Sequence, residues 1–198
     1  MSAFGGIVNF GNDPRPIDKS LLVNLGRHLD RFGPDGGSEV TASRVGMSYR
    51  AFCTTWESRF ESQPLLTSHG HMLAWNGRLD NRSELLRQLR NNLPNGPDTV
   101  TDLDIVLAAY LKWGEDCFVR LLGDFCLSLW DEGLQLLYLA RDVVGVRTLY
   151  FNVNGNHVCW STHLAPLLQV FRLKPEIEEE YIAGHLTRAP EPGLTPYK

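Results

Sequence analysis

The start of the chain constrains its fold most. MSAFGGIVNF opens into FGGIVNFG (residues 4–11), an apolar run carrying paired glycines. It reads as a short buried strand whose glycines allow close backbone approach or a tight turn. A strand that begins almost at the first residue ties the N-terminus to a sheet and leaves Ser2 directly ahead of it.

After Pro14 and Pro16, IDKSLLVNLGRHLDRFG puts Ile17, Leu21, Leu22, Leu25 and Leu29 on one face at helical spacing, and Gly33-Pro34 ends it. GPDGGS follows as a loop, and VGMSYRAFCTT and HMLAWNG read as strands. NRSELLRQLRNNL reads as a helix with Asn81 and Glu84 in capping-box spacing, terminated by the loop NLPNGPD. The clearest helix is TDLDIVLAAYLKWG, with Thr101 as N-cap and Asp104 three residues on, and EDCFVRLLG adds a second, short one. FCLSLWDEG, LQLLYLARD, TLYFNVNGN and HVCWSTH are strand-like. Hairpin signals at Asp131-Glu132-Gly133 and Asn154-Gly155-Asn156 suggest one antiparallel meander. HLAPLLQVF and PEIEEEYIAGHL read as helices, and APEPGLTPYK as a linker without periodicity. Strands at both ends with helices grouped between them argue for an α+β fold of two antiparallel sheets faced by helices.

At 198 residues, 43% hydrophobic and 21% charged, the chain is long enough to bury a core without staples. A net charge of -4 with scattered basic residues gives no nucleic-acid footprint, and no apolar run approaches a bilayer span. Cys53, Cys117, Cys126 and Cys159 are far apart with no C-x-x-C pair, so they read as buried thiols of a cytoplasmic protein, and no metal site is expected.

The ordered pieces FGGIVNF, FGPDGG, QPLL, AWNGRLDNRSELL, TDLDIVLAAYLKWGEDCFVRLLGDFCLSLWD and LYLARDVVGVRTLYF resemble the N-terminal glutamine amidotransferase domain of asparagine synthetases, from Phe4 to about Phe151. The resemblance implies an N-terminal-nucleophile hydrolase fold, a four-layer α/β/β/α sandwich of two antiparallel sheets. It implies an amidotransferase domain over residues 1–172, with residues 173–198 as the helix and linker toward a synthetase domain outside this chain. L-glutamine and that synthetase domain of the same polypeptide are the implied partners, along with a second copy of the chain as a homodimer. No nucleic acid or membrane is expected.

In that family the residue after Met1 is a cysteine nucleophile, and here it is Ser2. Its freed α-amine, with a pKa of about 8, would serve as the base. Serine is small enough for Met1 to be removed, but an alcohol is far harder to ionise than a thiol. The plainer reading of Ser2 is the exposed start of a strand. By resemblance Asn76 and Gly77 form the oxyanion hole, the amide side chain and the next backbone N–H supplying two donors. Read alone, they are an Asn-Gly turn. Arg50 matches the arginine that grips the substrate carboxylate, and its guanidinium fork suits that task. Asp102 matches the acid that receives the α-ammonium, although an aspartate in a first helical turn is favoured by the helix dipole regardless.

Two departures stand out. Phe32 occupies the place of the family's arginine ahead of Gly33-Pro34-Asp35, and no Ser-Gly-Gly-x-Asp-Ser loop is present. ATP and Mg are therefore expected only in the absent synthetase domain. The leading expectation is a glutaminase-type domain of an asparagine synthetase-like, ATP-dependent amide-forming enzyme. The alternative, suggested by Ser2, Phe32 and RAFCTTWESRFESQPLL, is a degenerate, non-hydrolysing scaffold of a lasso-peptide-cyclase or β-lactam-synthetase-like enzyme. A plain interaction module is the third reading.

Overall fold

Glycine decides where the first strand sits. In the computed structural model, which describes residues 1–11, 16–54, 56–93, 100–174, 176–189, 191 and 193–197, β1 (Ala3–Asn9) is the central strand of a five-stranded sheet. A Cβ on Gly5 would lie 2.6 Å from the Trp160 carbonyl oxygen, and one on Gly6 would lie 2.5 Å from that of Gly46. Only a residue without a side chain fits there. The neighbours are β3 (Val45–Arg50) and β9 (His157–Ser161), with β2 (Gly37–Ala42) and β8 (Tyr150–Asn154) at the edges, all antiparallel. A second sheet has the order β4 (Leu65–Leu66), β5 (Met72–Leu79), β6 (Gly123–Asp131), β7 (Leu136–Arg141).

Strand alternation divides the core into layers. Phe4, Val8, Met47, Met72, Ala74, Trp130 and Trp160 form the cluster between the sheets. Ala3, on the opposite face of β1, packs with Leu25 and Leu29 of α1 (Lys19–Leu29) and Val170 of α4 (Leu164–Val170). Leu73, Trp75 and Leu79 of β5 turn outward onto α2 (Arg82–Leu89) and α3 (Asp102–Trp113). The result is the expected α+β sandwich in four layers, helices on each outer face and a largely apolar double-sheet centre.

Local chemistry explains most boundaries. In α3 the capping box forms: Thr101 Oγ1 accepts from the Asp104 N–H at 3.2 Å and Asp104 Oδ2 accepts from the Thr101 N–H at 2.8 Å. The analogous box in α2 does not form. Asn81 instead bridges to the next segment, donating to the Arg120 carbonyl at 2.9 Å and accepting from the Leu122 N–H at 3.1 Å. Of EDCFVRLLG, residues 115–120 lie in a 3-10 helix, Gly114–Arg120, and the remainder leads into β6. The four late strands are not one meander. β6–β7 is a hairpin of one sheet and β8–β9 a hairpin of the other, so residues 142–149 cross between sheets. β2 occupies residues read partly as loop.

The segment after α5 (Glu179–Thr187) turns back, pairing Tyr197 with Ile177. Pro14 and residues 94–98 of the expected NLPNGPD loop lie outside the described residues. Cys117, Cys126 and Cys159 are buried as expected, whereas Cys53 is half-exposed. No helix among the described residues is long and apolar enough to cross a membrane.

Candidate active site

The register of β1 against β3 fixes where Ser2 points. Phe4 pairs with Tyr49 and Ala3 with Arg50, so Ser2, Phe4 and Tyr49 share the inner face of the sheet while Ala3 and Arg50 share the outer one. Ser2 Oγ accepts a hydrogen bond from the Phe52 N–H at 3.0 Å, which holds the hydroxyl at the end of β3. The Tyr49 hydroxyl faces it. Burial raises the Tyr49 pKa well above the usual phenol value despite the hydrogen bond with Ser2, so Tyr49 stays neutral.

Gln63, itself buried, organises the surroundings. Its Nε2 donates to Tyr49 Oη at 3.1 Å and to Glu61 Oε2 at 2.7 Å, and its Oε1 accepts from the Trp75 N–H at 2.6 Å. That last bond reveals the geometry of β5. The Phe125 carbonyl accepts from Asp142 N–H on the β7 side, so Gly77, paired with Phe125, directs its own N–H the other way, to the open edge beyond short β4. Three N–H groups of β5 share that edge. Trp75 N–H is taken by Gln63 and Leu79 N–H by Asp102 Oδ2 at 3.1 Å, and Gly77 N–H lies between them. The Asn76 side chain projects to the inner face with Met72 and Ala74, against its strand partner Cys126. A Cβ at Gly77 would come within 2.5 Å of Phe125 Cβ, so glycine is required for the close approach of β6.

Ser2, Asn76, Gly77 and Asp102 line one cleft of about 140 Å³. It is far smaller than the roughly 300–1,000 Å³ typical of drug-sized ligand sites. Its scale suits a free amino acid. Asp102 is engaged by Arg82 Nη1, which is also held by the Val100 carbonyl through Nη2. Glu61 lies nearby, where burial pushes its carboxyl up to about 7, further raised by the Asp102 charge and opposed by the Gln63 hydrogen bond. Arg147 also reaches the cleft, from the crossing between sheets.

Arg50 does not. Facing outward, its Nε sits 2.5 Å from Asp30 Oδ1 and its Nη1 2.7 Å from Glu39 Oε1, beneath Gly26 of α1. The structure thus corrects the expectation that Arg50 reaches the substrate: the β1–β3 register puts its side chain on the far side of the sheet. Phe32 stacks on the His163 ring with centroids 3.5 Å apart, and the Arg31 guanidinium lies 4.5 Å above the Phe32 ring.

Residues 1–196 match the family described as a glutamine amidotransferase domain. The chain belongs to that family. Among curated relatives it is similar to the glutamine-hydrolyzing asparagine synthetase 3 of Bacillus subtilis, 28% identical over 164 residues, which are 81% of this chain and 26% of that protein. It is also similar to asparagine synthetase 1 of the same organism, 24% identical over 196 residues covering 97% of this chain and 30% of the relative. The chain therefore spans about a quarter to a third of the length of these relatives. The structure of glutamine phosphoribosylpyrophosphate amidotransferase from B. subtilis superposes with a TM-score of 0.66 at 18% identity, covering 89% of this chain and 45% of that one, which shows a shared fold.

In this amidotransferase domain, sequence reasoning missed Tyr49, Glu61, Gln63 and Arg147. Gln63 and Arg147 fall inside stretches already singled out, QPLL and LYLARDVVGVRTLYF, but their directions follow from loop geometry that no periodicity reports.

Proposed function

We propose that the chain is the glutamine-hydrolysing half of an asparagine synthetase-like, ATP-dependent amide-forming enzyme of the cytoplasm. Residues 1–172 are the amidotransferase domain in this reading, and residues 173–198 lead to a synthetase half that holds ATP and Mg. The observation that carries the reading is the convergence of Ser2 Oγ with Asn76 and Gly77 on one small cleft.

The chemistry follows from those groups. Once Met1 is removed, the Ser2 α-amine takes the Oγ proton and Oγ attacks the side-chain carboxamide carbon of glutamine. The oxyanion forms toward Asn76 Nδ2 and Gly77 N–H. The ammonium then returns its proton to the leaving nitrogen, releasing ammonia, and water hydrolyses the glutamyl ester to glutamate. With Met1 in place, its α-amine is held below its usual pKa by burial and by Arg147, and the same cation would favour the neutral, proton-accepting form of the Ser2 amine that takes its place.

A second reading, a non-hydrolysing scaffold, draws support from two observations: the alcohol at position 2 and the outward turn of Arg50. Ammonia release from glutamine by the Met1-free chain separates the two readings. The glutaminase reading expects slow turnover that is abolished in Asn76→Ala and raised in Ser2→Cys. Absence of turnover in both wild type and Ser2→Cys leaves the scaffold.

A further inference from the structure

We propose that the Arg147 guanidinium binds the α-carboxylate of the amino acid held in the Ser2 cleft. This rests on the amino-acid substrate of the proposed function.

The loop that carries Arg147 is built to present it. Residues 142–149 cross from β7 to β8 and therefore pass from one sheet to the other at the cleft's end of the sandwich. Buried Asp142 fixes the path: its Oδ1 accepts from the Val146 N–H at 3.0 Å and its Oδ2 from the Arg147 N–H at 3.2 Å. Asp142 N–H donates to the Phe125 carbonyl at 2.9 Å, and Gly145 N–H donates back to the Asp142 carbonyl at 3.0 Å with Gly145 at φ +72°. The Arg147 backbone is thus pinned by Asp142, its positive charge acts on the thiol of Cys126, the strand partner of Asn76, and its side chain lines the cleft.

Two of its donor nitrogens are uncommitted. Arg147 Nε and Nη1 are buried and have no hydrogen-bond acceptor among the described residues. The two other cleft guanidiniums are engaged, Arg78 with Asp80 at 2.8 Å and Arg82 with Asp102 and the Val100 carbonyl, and Arg50 on the outer face is held by Asp30 and Glu39. Arg147 as a whole is half-buried, and its buried, unmet N–H groups are unfavourable until an acceptor meets them. A carboxylate is the acceptor that a planar guanidinium pairs with best. Glu61 and Asp102 give the same cleft its acidic groups, so a zwitterionic amino acid finds a partner for each charge.

The test measures dissociation constants on the Met1-free chain for three probes: L-glutamine, glutaric acid monoamide (no α-amine) and L-glutamine α-amide (no carboxylate). Arg147→Gln should weaken the first two at least about tenfold, Arg147→Lys should weaken them less, and the α-amide should bind the wild type and Arg147→Gln alike. Thermal unfolding should not fall, since the substitution removes buried N–H groups that have no acceptor. L-glutamine bound equally by wild type and Arg147→Gln overturns the inference and leaves the proposed function standing. Carboxylate binding that depends on Arg147, without any glutamine hydrolysis, supports the inference and removes the hydrolytic reading. Failure of the wild type to bind either carboxylate overturns it. So does an unchanged KM with only the pH profile of kcat displaced, which would mean that Arg147 acts through the N-terminal amine alone.

Discussion

Arg50→Met tests whether this residue supports the fold or the substrate. The side chain is 12% exposed and bridges Asp30, which is 60% exposed, and Glu39, which is 16% exposed. Losing the Asp30 contact costs little, because water replaces it and exposed pairs contribute about 0–1 kcal/mol. Glu39 is different, since it is left largely buried without its cation, and breaking a fully buried pair costs about 3–5 kcal/mol. Glu39 is only partly buried, so the total should be about 2–3 kcal/mol, which lowers Tm by about 5–10 °C for a chain of this size. Gly26→Ala should reproduce part of the loss, because the new Cβ would sit 2.0 Å from Arg50 Nη2 and displace the guanidinium. Adding Glu39→Gln to Arg50→Met should recover stability by removing the stranded charge. The assay is calorimetric unfolding alongside glutamine affinity. An unchanged Tm with a large loss of glutamine affinity would refute the register-based placement of Arg50.

Three further outcomes follow from the same geometry. Thr101→Ala removes the α3 cap and should cost about 1 kcal/mol in chemical denaturation, with unchanged slope. Glu61, raised by burial to about 7, binds its proton more tightly when folded. Its contribution is thus full below the unfolded carboxyl value near 4.3 and lost as pH rises through about 7, and Glu61→Gln should flatten that decline by roughly 2–3 kcal/mol. Asp131 behaves oppositely: burial pushes its pKa up, but the Tyr110 hydroxyl at 2.6 Å, the Leu134 and Gly133 N–H groups and His71 outweigh it and hold the pKa below the usual value. Its stabilisation is present above the unfolded value and lost as pH falls through the lower folded one. Asp131→Asn should therefore shallow the acid limb of a pH–stability curve.

Much of the scaffold was legible because its signals are local. The glycines of β1, the Thr101–Asp104 box and the Asn154–Gly155 turn each state a requirement that neighbouring backbone confirms. What was hidden depended on partners far away in sequence. Nothing in residues 123–161 says that two successive hairpins belong to different sheets. The strand β2 carries Ser38, Glu39 and Thr41 rather than a strong apolar alternation, so it resembled loop. The site divided along the same line. Asn76, Gly77 and Asp102 ride on regular elements and line one cleft with Ser2, whereas Arg50 depended on register, in which a shift of one residue exchanges the faces of a strand. Glu61 and Arg147 sit on connections, whose direction is set by Gln63 and Asp142 rather than by any repeat.

The account turns on whether Ser2 works with the Asn76–Gly77 donors. Ammonia release from glutamine by the Met1-free chain, compared across wild type, Ser2→Cys and Asn76→Ala, measures that directly. The expected pattern is slow turnover by the wild type, faster turnover by Ser2→Cys because a few per cent of a thiol is already thiolate near neutral pH, and none by Asn76→Ala. Turnover in Asn76→Ala equal to that of the wild type, or none in either wild type or Ser2→Cys, would contradict it.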